Sequence, residues 1–442
     1  MKDFVKTMLA VICAFIVMQI LTFFFMVIMF AGALAGGSGA SLPKEGVLDL
    51  NMADFVIAEQ TQENPMPSFS LTGSMTMPDA QIGLMDAIKG LEAAAADPGV
   101  KYVLLRPESS GIGMAHAEEF RAALEQFRRS GKPIVAWLES PGNGSYYLAS
   151  AADKVYLSSY HGFSYQLVGL STQLMFLKDI LDKVGVNVQL IRHGKYKSAG
   201  EQFVRSSASP ENREQNQVLI NSAWRTMSGA IAESRGISEA DFNALVDNLS
   251  LLLPEDFLKA GLVDATMTRE ELIDKLCTLA GVDKEENLKL IPFAGYVQNK
   301  VKPVLKPNVA IIYADGEIVD GEDVSNIGGD RFVKEINKAA KDPNIKAVVL
   351  RVNSPGGSVS ASVKIRTALD SLQAKKPLVA SYGNYAASGG YWISNGCEKI
   401  FADANTVTGS IGVFSMIPEF SKVTKKVGVT FESIGSNKHS DM

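Results

Sequence analysis

Short apolar runs alternate with longer amphipathic stretches between residues 309 and 381. The apolar, often β-branched runs occupy 309–313, 347–352 and 377–381, and patterns of helical period occupy 331–340 and 360–374. Continuous β-branched runs are typical of strands buried on both faces, and alternation of strands with helices requires crossover connections. The pattern therefore predicts an α/β unit in which helices cover a mainly parallel sheet.

The same alternation occurs earlier in the chain, and the sequence itself repeats. Residues 101–106 match residues 346–351, and residues 131–136 match residues 375–380, so the offset is 244 to 245. Internal similarity at one offset indicates a duplicated unit. We therefore expect two α/β repeats in tandem.

An uncharged apolar run covers residues 8–35. A membrane-spanning helix needs about 20 such residues, whereas the apolar part of a cleaved signal peptide has about 7 to 15, so the length predicts one uncleaved transmembrane helix. Cleavage within the small-residue stretch 31–35 is the alternative. Lys2 and Lys6 favour a cytoplasmic N-terminus, which would place the rest of the chain outside the cytoplasm.

These patterns predict three regions. Residues 1–41 form the anchor and a flexible linker, and residues 42–300 form the first repeat. The first repeat ends in a helical tail, because Ser209 followed by Pro210 is typical of an N-cap and a first helical position. Residues 301–442 form the second repeat, which has no such tail and is expected to be incomplete.

Composition and charge exclude several classes of protein. Apolar residues make up 46% of the chain and charged residues 21%, which is typical of globular proteins. The net charge of −5 provides no basic surface for a nucleic-acid backbone, so no nucleic-acid partner is expected. Cys13, Cys277 and Cys397 are widely spaced and form no CxxC pair, so no disulfide framework or zinc site is predicted.

A glycine-rich turn follows the predicted strand 347–352. Asn353-Ser354-Pro355-Gly356-Gly357-Ser358 leads directly into a predicted helix. Exposed backbone N–H groups at such a turn can bind an anion or the oxyanion of a tetrahedral intermediate. Taken alone, the motif is better explained as an ordinary glycine turn, because such turns are common, so it does not by itself establish a site.

Ser388 lies among small residues where the next strand is expected to meet a helix. Its neighbours allow a carbonyl group to approach the hydroxyl, and the Gly389 N–H would be available to an oxyanion, as at other nucleophile turns. The alternative is a small-residue helix packed closely on the sheet.

A serine nucleophile needs a base, and the four histidines of the chain show no useful spacing to a partner. A buried lysine can serve if its pKa falls far enough for the amine to be neutral. Lys197 lies in a predicted loop after the strand 188–192, although most lysines are simply solvated. The repeat adds weight to Lys197, because aligning the two copies places Gly144 opposite Ser388 and Lys197 opposite Ser440. One copy would then carry the base and the other the nucleophile.

Four separated motifs carry a resemblance to a known family. They are Tyr196-Lys197-Ser198-Ala199, Asn353-Ser354-Pro355-Gly356-Gly357-Ser358, Tyr385-Ala386-Ala387-Ser388-Gly389-Gly390-Tyr391 and Thr408-Gly409-Ser410-Ile411-Gly412-Val413. In this order they closely resemble the motifs of the signal peptide peptidase A family, or protease IV, in its long duplicated form. The resemblance implies tandem units related to the caseinolytic protease and the crotonases.

The resemblance also implies an activity and its residues. It implies a membrane-bound serine endopeptidase that degrades cleaved signal peptides, with Ser388 as nucleophile and Lys197 as general base. The hydroxyl of Ser410 would orient the lysine. The N–H groups of Gly357 and Gly389, with Gly356 as a further candidate, would form the oxyanion hole.

The resemblance implies no metal and no organic cofactor. It implies a homotetramer that binds signal peptides and other extended apolar peptides by strand addition. It places the chain in the bacterial inner membrane, with the catalytic body on the periplasmic side. Family members of the long form continue beyond the point that matches Met442, so we expect the chain to lack helices that contribute to subunit packing.

Two alternatives remain. A catalytically silent, membrane-anchored scaffold of the same fold would be expected to lose the base or the nucleophile, and both are present. An enzyme of the crotonase type that handles acyl-CoA would share the glycine turn, but it would explain neither a serine–lysine pair nor an anchor.

Overall fold

The computed structural model describes residues 42–61, 68–69, 75–76, 80–108 and 110–440, together with scattered helical positions between 6 and 24. Residues 1–44 and 45–442 form two separate compact units. The predicted membrane-spanning run, 8–35, lies largely outside the described residues. Among the residues that are described, no helix combines the length and the apolar character needed to cross a bilayer.

The second unit is built from short strands and helices in alternation. Its strands are β1 (Gly46–Asn51), β2 (Phe55–Ala58), β3 (Ser68–Phe69), β4 (Met75–Thr76), β5 (Ala80–Gly83), β6 (Val100–Arg106), β7 (Ile134–Leu138), β8 (Lys154–Ser158), β9 (Asn187–Arg192), β10 (Ala265–Met267), β11 (Leu290–Pro292), β12 (Val309–Asp315), β13 (Ile318–Val319), β14 (Ile327–Gly328), β15 (Ala347–Ser354), β16 (Leu378–Ala387), β17 (Lys399–Phe401), β18 (Val407–Gly409) and β19 (Phe414–Glu419).

Its helices are α1 (Leu84–Ala96), α2 (Met114–Arg128), α3 (Asn143–Ala149), α4 (Lys178–Val184), α5 (Glu201–Val204), α6 (Pro210–Arg235), α7 (Glu239–Asp247), α8 (Pro254–Lys259), α9 (Arg269–Ala280), α10 (Phe293–Lys300), α11 (Gly329–Lys341), α12 (Val359–Gln373), α13 (Gly389–Ser394) and α14 (Ser421–Lys426). Ser209 caps α6 as predicted, because its hydroxyl accepts the N–H of Asn212 at 3.1 Å.

Two parallel sheets form the framework. The first has the strand order β10-β8-β7-β6-β1-β11, and the second has the order β12-β15-β16-β17, with β18 also paired to β16. Every pairing within these two sheets is parallel. The predicted α/β class with mainly parallel sheets is confirmed, and the order β1-β6-β7-β8 of the first sheet corresponds to β12-β15-β16-β17 of the second.

Apolar burial explains why the strands form where the sequence pattern predicts them. All five residues of β7 are buried, as expected for a central parallel strand covered on both faces. On β15, Val348, Leu350 and Val352 are almost fully buried and belong to the core of the second sheet. That core also includes Ile336 of α11 and Ile365 of α12, so these two helices cover the sheet.

One strand is longer than the apolar pattern indicates. The pattern predicts a strand over 377–381, but β16 continues to Ala387 and ends immediately before Ser388. The extension pairs with β18, with Tyr385 opposite Val407 and Ala387 opposite Gly409. Backbone pairing therefore continues beyond the apolar run and brings the sheet to the candidate nucleophile.

The second unit has two halves, residues 45–300 and residues 301–442, and a two-stranded ribbon joins them. Strand β9 pairs with β19 in antiparallel register, from Asn187 opposite Glu419 to Arg192 opposite Phe414. Lys197 follows β9 by five residues, and Ser410 precedes β19 by four. The ribbon therefore places the loop that carries Lys197 beside the turn that carries Ser410.

Candidate active site

Ser388 lies between β16 and α13 in a strained backbone conformation. Its φ and ψ are 52° and −116°, in a region that non-glycine residues rarely adopt. Its N–H donates to the carbonyl of Gly409 on β18 at 2.8 Å, and its carbonyl accepts the N–H of Trp392 in α13 at 2.9 Å. Strain of this kind persists only where the surrounding structure enforces it, and it clusters at functional sites.

Lys197 reaches this serine from the other half of the molecule. It lies between β9 and α5 and is 5% exposed. Its Nζ lies 2.9 Å from Ser388 Oγ, 2.6 Å from the carbonyl oxygen of Ser410 and 3.1 Å from Ser410 Oγ. Ser388 and Ser410 follow Lys197 by 191 and 213 positions in sequence, yet both contact its amine.

The surroundings of Lys197 favour the neutral amine. The three oxygen atoms around Nζ belong to neutral groups, and burial lowers the pKa of Lys197 below its usual value. A partly dehydrated ammonium is less stable than a hydrated one, so the amine loses its proton more readily. The side chain is therefore suited to accept a proton from the serine hydroxyl.

Ser410 is a second strained residue in the site. Its φ is 50°, and among the described residues only Leu249, Ser388 and Ser410 combine a side chain with a positive φ. The strained turn directs both the carbonyl and the hydroxyl of Ser410 toward Lys197 Nζ. Sequence analysis predicted the hydroxyl contact; the shorter carbonyl contact has no side-chain signature and was not predicted.

The glycine turn after β15 lies against Ser388. Gly356 and Gly357 have φ values of 97° and 151°. A Cβ on Gly356 would clash with the backbone nitrogen of Gly389 and lie 2.9 Å from the Cβ of Ser388, so only glycine fits. The turn is held by Ile318, whose N–H donates to the Gly356 carbonyl and whose carbonyl accepts the N–H of Ser358.

Two backbone donors at this turn are available to a ligand. Within the described part of the chain, the N–H groups of Gly357 and Gly389 donate to no protein acceptor. Gly356 differs from them, because its N–H donates to Ser354 Oγ at 3.2 Å. The pair formed by Gly357 and Gly389 therefore suits an oxyanion better than Gly356 does.

The first half has no hydroxyl at the corresponding position. Its helix α3 begins at Asn143 with Gly142 as the N-cap, so matching the helix starts places Gly142, rather than Gly144, opposite Ser388. At this helix start the Ser145 hydroxyl accepts the N–H of Gly142 at 2.9 Å. Either match places a glycine there.

A buried charge cluster behind the site was not predicted. Glu59 and Arg351 are 5% and 8% exposed, and Arg351 donates to Glu59 Oε1 and to Glu119 Oε1, each at 2.6 Å. His116 Nε2 lies 2.7 Å from Glu59 Oε2. Burial alone would raise the pKa of Glu59, but the His116 hydrogen bond and the Arg351 charge outweigh it and hold this pKa below its usual value.

The cluster joins the two halves beside β16. Asn384 strengthens the same junction, because its Oδ1 accepts the N–H groups of Ala115 at 3.0 Å and His116 at 3.2 Å, at the start of α2. The one sequence signal was an arginine at the end of an apolar strand in each repeat; the first, Arg106, pairs with Asp49 at 2.6 Å. The second is Arg351, whose partners Glu59 and Glu119 lie too far away in sequence to be inferred.

Comparison with known proteins assigns the family. Residues 126–283 and 370–442 match peptidase family S49. The chain is 34% identical over 423 residues to Protease 4 of Haemophilus influenzae, covering 91% of this chain and 68% of that protein. It is 32% identical over 442 residues to Protease 4 of Salmonella typhi, covering 96% of this chain and 71% of that protein.

A shorter match has a related name. The chain is 41% identical over 114 residues to the putative signal peptide peptidase SppA of Enterococcus faecium, covering 25% of this chain and 33% of that protein. The protein is therefore a protease, and the chain belongs to peptidase family S49. The resemblance inferred from the four motifs is confirmed.

Proposed function

We propose that the protein is a serine endopeptidase in which Ser388 is the nucleophile and Lys197 the general base. The contact of 2.9 Å between Lys197 Nζ and Ser388 Oγ carries this proposal. A neutral amine has two N–H donors and one lone pair. The two oxygen atoms of Ser410 accept the donors, which leaves the lone pair for the Ser388 hydroxyl proton.

Acylation follows from this arrangement. Lys197 Nζ takes the hydroxyl proton while Ser388 Oγ bonds to the peptide carbonyl carbon, and the carbonyl oxygen becomes an oxyanion. The N–H groups of Gly357 and Gly389 stabilise that charge. The ammonium of Lys197 then gives its proton to the leaving amine as the C–N bond breaks, which leaves an acyl ester on Ser388.

Deacylation uses the same groups. Lys197 removes a proton from water, whose oxygen attacks the ester carbonyl, and the departing Ser388 oxygen recovers a proton from the lysine. The products are a carboxylic acid and the free enzyme. Ser410 orients the amine in both steps, because its carbonyl and hydroxyl hold Nζ from one side.

The proposed substrates are cleaved signal peptides and other extended apolar peptides. Apolar side chains near the serine in sequence support this class: Tyr385 and Trp392 are 49% and 51% exposed, and Ile411, next to Ser410, is 77% exposed. The name of the Enterococcus relative is consistent with it. Exposed apolar side chains beside a nucleophile favour apolar segments over charged ones.

The proposal extends to organisation and location. We propose that residues 42–300 and 301–442 are duplicated units, which the two separate family matches and the shared strand order support. The apolar run over 8–35 supports a single-pass anchor in the bacterial inner membrane, with the site on the periplasmic side. A homotetramer is proposed on the resemblance alone.

The test is hydrolysis of a quenched fluorescent apolar peptide by the full chain. Ser388→Ala and Lys197→Ala should each lower kcat by about 10³-fold or more, while the surface variants Ser371→Ala and Lys334→Ala should not. Undiminished cleavage by Ser388→Ala would refute the nucleophile. Activity in Lys197→Ala with an unchanged pH profile would refute the base, and an inactive wild type would favour the scaffold alternative.

The substrate class needs a separate comparison. A charged peptide of equal length should be cut more slowly than the apolar peptide, by about tenfold or more in kcat/KM. Equal rates for the two peptides would contradict the proposed preference without affecting the assignment of Ser388 and Lys197.

A further inference from the structure

Arg192 makes two contacts beside the candidate base. Its Nη1 donates to the backbone carbonyl of Lys197 at 2.8 Å, and its Nη2 donates to Glu201 Oε1 at 3.0 Å. Arg192 is the last residue of β9 and lies opposite Phe414 on β19, so the ribbon that joins the two halves fixes its backbone. One side chain therefore connects the loop of Lys197 to that ribbon.

Both carboxylate oxygens of Glu201 accept hydrogen bonds. It is 1% exposed, and its second carboxylate oxygen accepts the Ser209 N–H and the Asn212 side-chain amide, each at 3.1 Å. Burial alone would raise the pKa of Glu201, but the hydrogen bonds from Ser209, Asn212 and Arg192 outweigh it and keep this pKa below its usual value. The carboxylate is therefore ionised near neutral pH.

This carboxylate belongs to a residue only four positions after Lys197. A free carboxylate beside a buried amine would favour the ammonium form and would suppress its action as a base. Arg192 and the start of α6 donate to both carboxylate oxygens, and among the described residues the Nζ of Lys197 hydrogen-bonds only to Ser388 and Ser410. The ion pair is neutral as a whole, and burial lowers the pKa of Lys197.

The loop between β9 and α5 contacts α6 through the side chains of Tyr196 and Ser198 but has no regular secondary structure. Residues 193–200 form neither helix nor strand, yet the Lys197 side chain must place Nζ within hydrogen-bonding distance of two serines. The carbonyl bond from Arg192 fixes the backbone from which that side chain extends.

We propose that Arg192 and Glu201 are positioning residues for the base. Their ion pair ties the Lys197 carbonyl to the end of β9 and neutralises the Glu201 carboxylate four residues after the base. This inference rests on the proposed function and adds to it the residues that make Lys197 competent. Both residues act through the Lys197 backbone, since Arg192 donates to the Lys197 carbonyl and to Glu201.

The test combines catalysis with a measurement on Lys197 that needs no catalysis. The pH profile of kcat/KM is recorded for Arg192→Met, Arg192→Lys and Glu201→Gln in the full chain. In parallel, the rate at which acetic anhydride acetylates Lys197 is followed by mass spectrometry against pH, also in the Ser388→Ala background. Arg235→Met is the matched control, because Arg235 likewise donates to a backbone carbonyl, that of Gly261, and to a carboxylate, that of Asp264.

Arg192→Met and Glu201→Gln should shift the pH midpoints of kcat/KM and of Lys197 acetylation in opposite directions. Arg192→Met leaves Glu201 unpaired and should move both midpoints up by about one pH unit, with a fall in kcat of about tenfold or more and little change in KM. Glu201→Gln leaves the Arg192 charge uncompensated and should move both midpoints down. Arg192→Lys should restore the midpoint because it keeps the charge, and Arg235→Met should leave it unchanged.

Each outcome decides between the two proposals. Unchanged acetylation midpoints in folded Arg192→Met and Glu201→Gln would overturn the positioning role, as would shifts of the same sign in both. If Arg192→Met does not fold, Glu201→Gln and Arg192→Lys still carry the test. Shifted acetylation midpoints in a protein that cuts no peptide would uphold the positioning role and refute the proposed function instead.

Discussion

Asp403 provides a direct test of the electrostatics between the two halves. It lies in the loop between β17 and β18, near Glu118 and Glu119 of α2 and near Arg351. Burial, followed by repulsion from Glu119 and Glu118, raises the pKa of Asp403 from 3.8 to about 6, against the opposing effect of Arg351. The position is fixed, because Glu118 also accepts the N–H groups of the two residues after Asp403, at 3.3 and 3.1 Å.

The sign of the effect follows from linkage. A carboxyl whose pKa is raised by folding stabilises the folded state while it is protonated, and this contribution is lost as the pH rises through about 6. A shift of about two units corresponds to about 3 kcal/mol. Because Asp403 is partly exposed, solvent screening reduces the expected effect to about 1–2 kcal/mol.

Asp403→Asn removes the charge and keeps the size of the side chain. The variant should match the wild type near pH 4 and be more stable by about 1–2 kcal/mol at pH 7.5, or about 1–3 °C in unfolding midpoint. Denaturant and thermal unfolding of the full chain between pH 4 and pH 8 would measure this difference.

The control is Asp247→Asn, at an exposed position without an ion pair in the described part of the chain. It should show no pH-dependent difference from the wild type. A stability difference for Asp403→Asn that does not vary with pH, or a wild type that is the more stable protein at pH 7.5, would refute the reasoning.

Three further predictions concern the site and its support. Gly356→Ala would force a Cβ against the Gly389 nitrogen and should lower kcat by about 10²-fold or more in a single-turnover assay. An unchanged kcat would show that the close approach of Gly356 to Gly389 does not matter for catalysis. Asn384→Ala removes the bonds to the start of α2, including that to His116 N–H, and should cost about 1 kcal/mol in denaturant unfolding; equal stability would contradict the capping role. Because burial lowers the pKa of Lys197, kcat/KM should rise with pH to a midpoint below 10.5, and a rate independent of pH would point to another base.

The separation of the proposed base from the proposed nucleophile explains why the junction between the halves matters. Lys197 follows β9 in the first half, and Ser388 follows β16 in the second. Their contact depends on the ribbon formed by β9 and β19 and on the buried ion pairs of Arg351. Local opening of this junction would therefore separate the two groups, even if each sheet remained folded.

The sequence by itself determined the main parallel strands, the helices between them and the glycine turn. Buried parallel strands need continuous apolar runs, and the helices between them need an apolar face, so both leave a local pattern that the structure confirms at β12, β15, α11 and α12. The paired glycines before Ser358 are also local, because a positive φ and a close backbone approach admit no side chain.

Only the tertiary structure decided which polar groups meet. The approach of Lys197 to Ser388, the carbonyl contact from Ser410 and the pairing of Arg192 with Glu201 depend on how loops fold over a ribbon that joins distant parts of the chain. A hydrogen bond between groups that are some 200 residues apart leaves no periodicity in the sequence. The repeat and the motifs indicated which residues to consider, and their geometry and protonation follow from the burial that only folding creates.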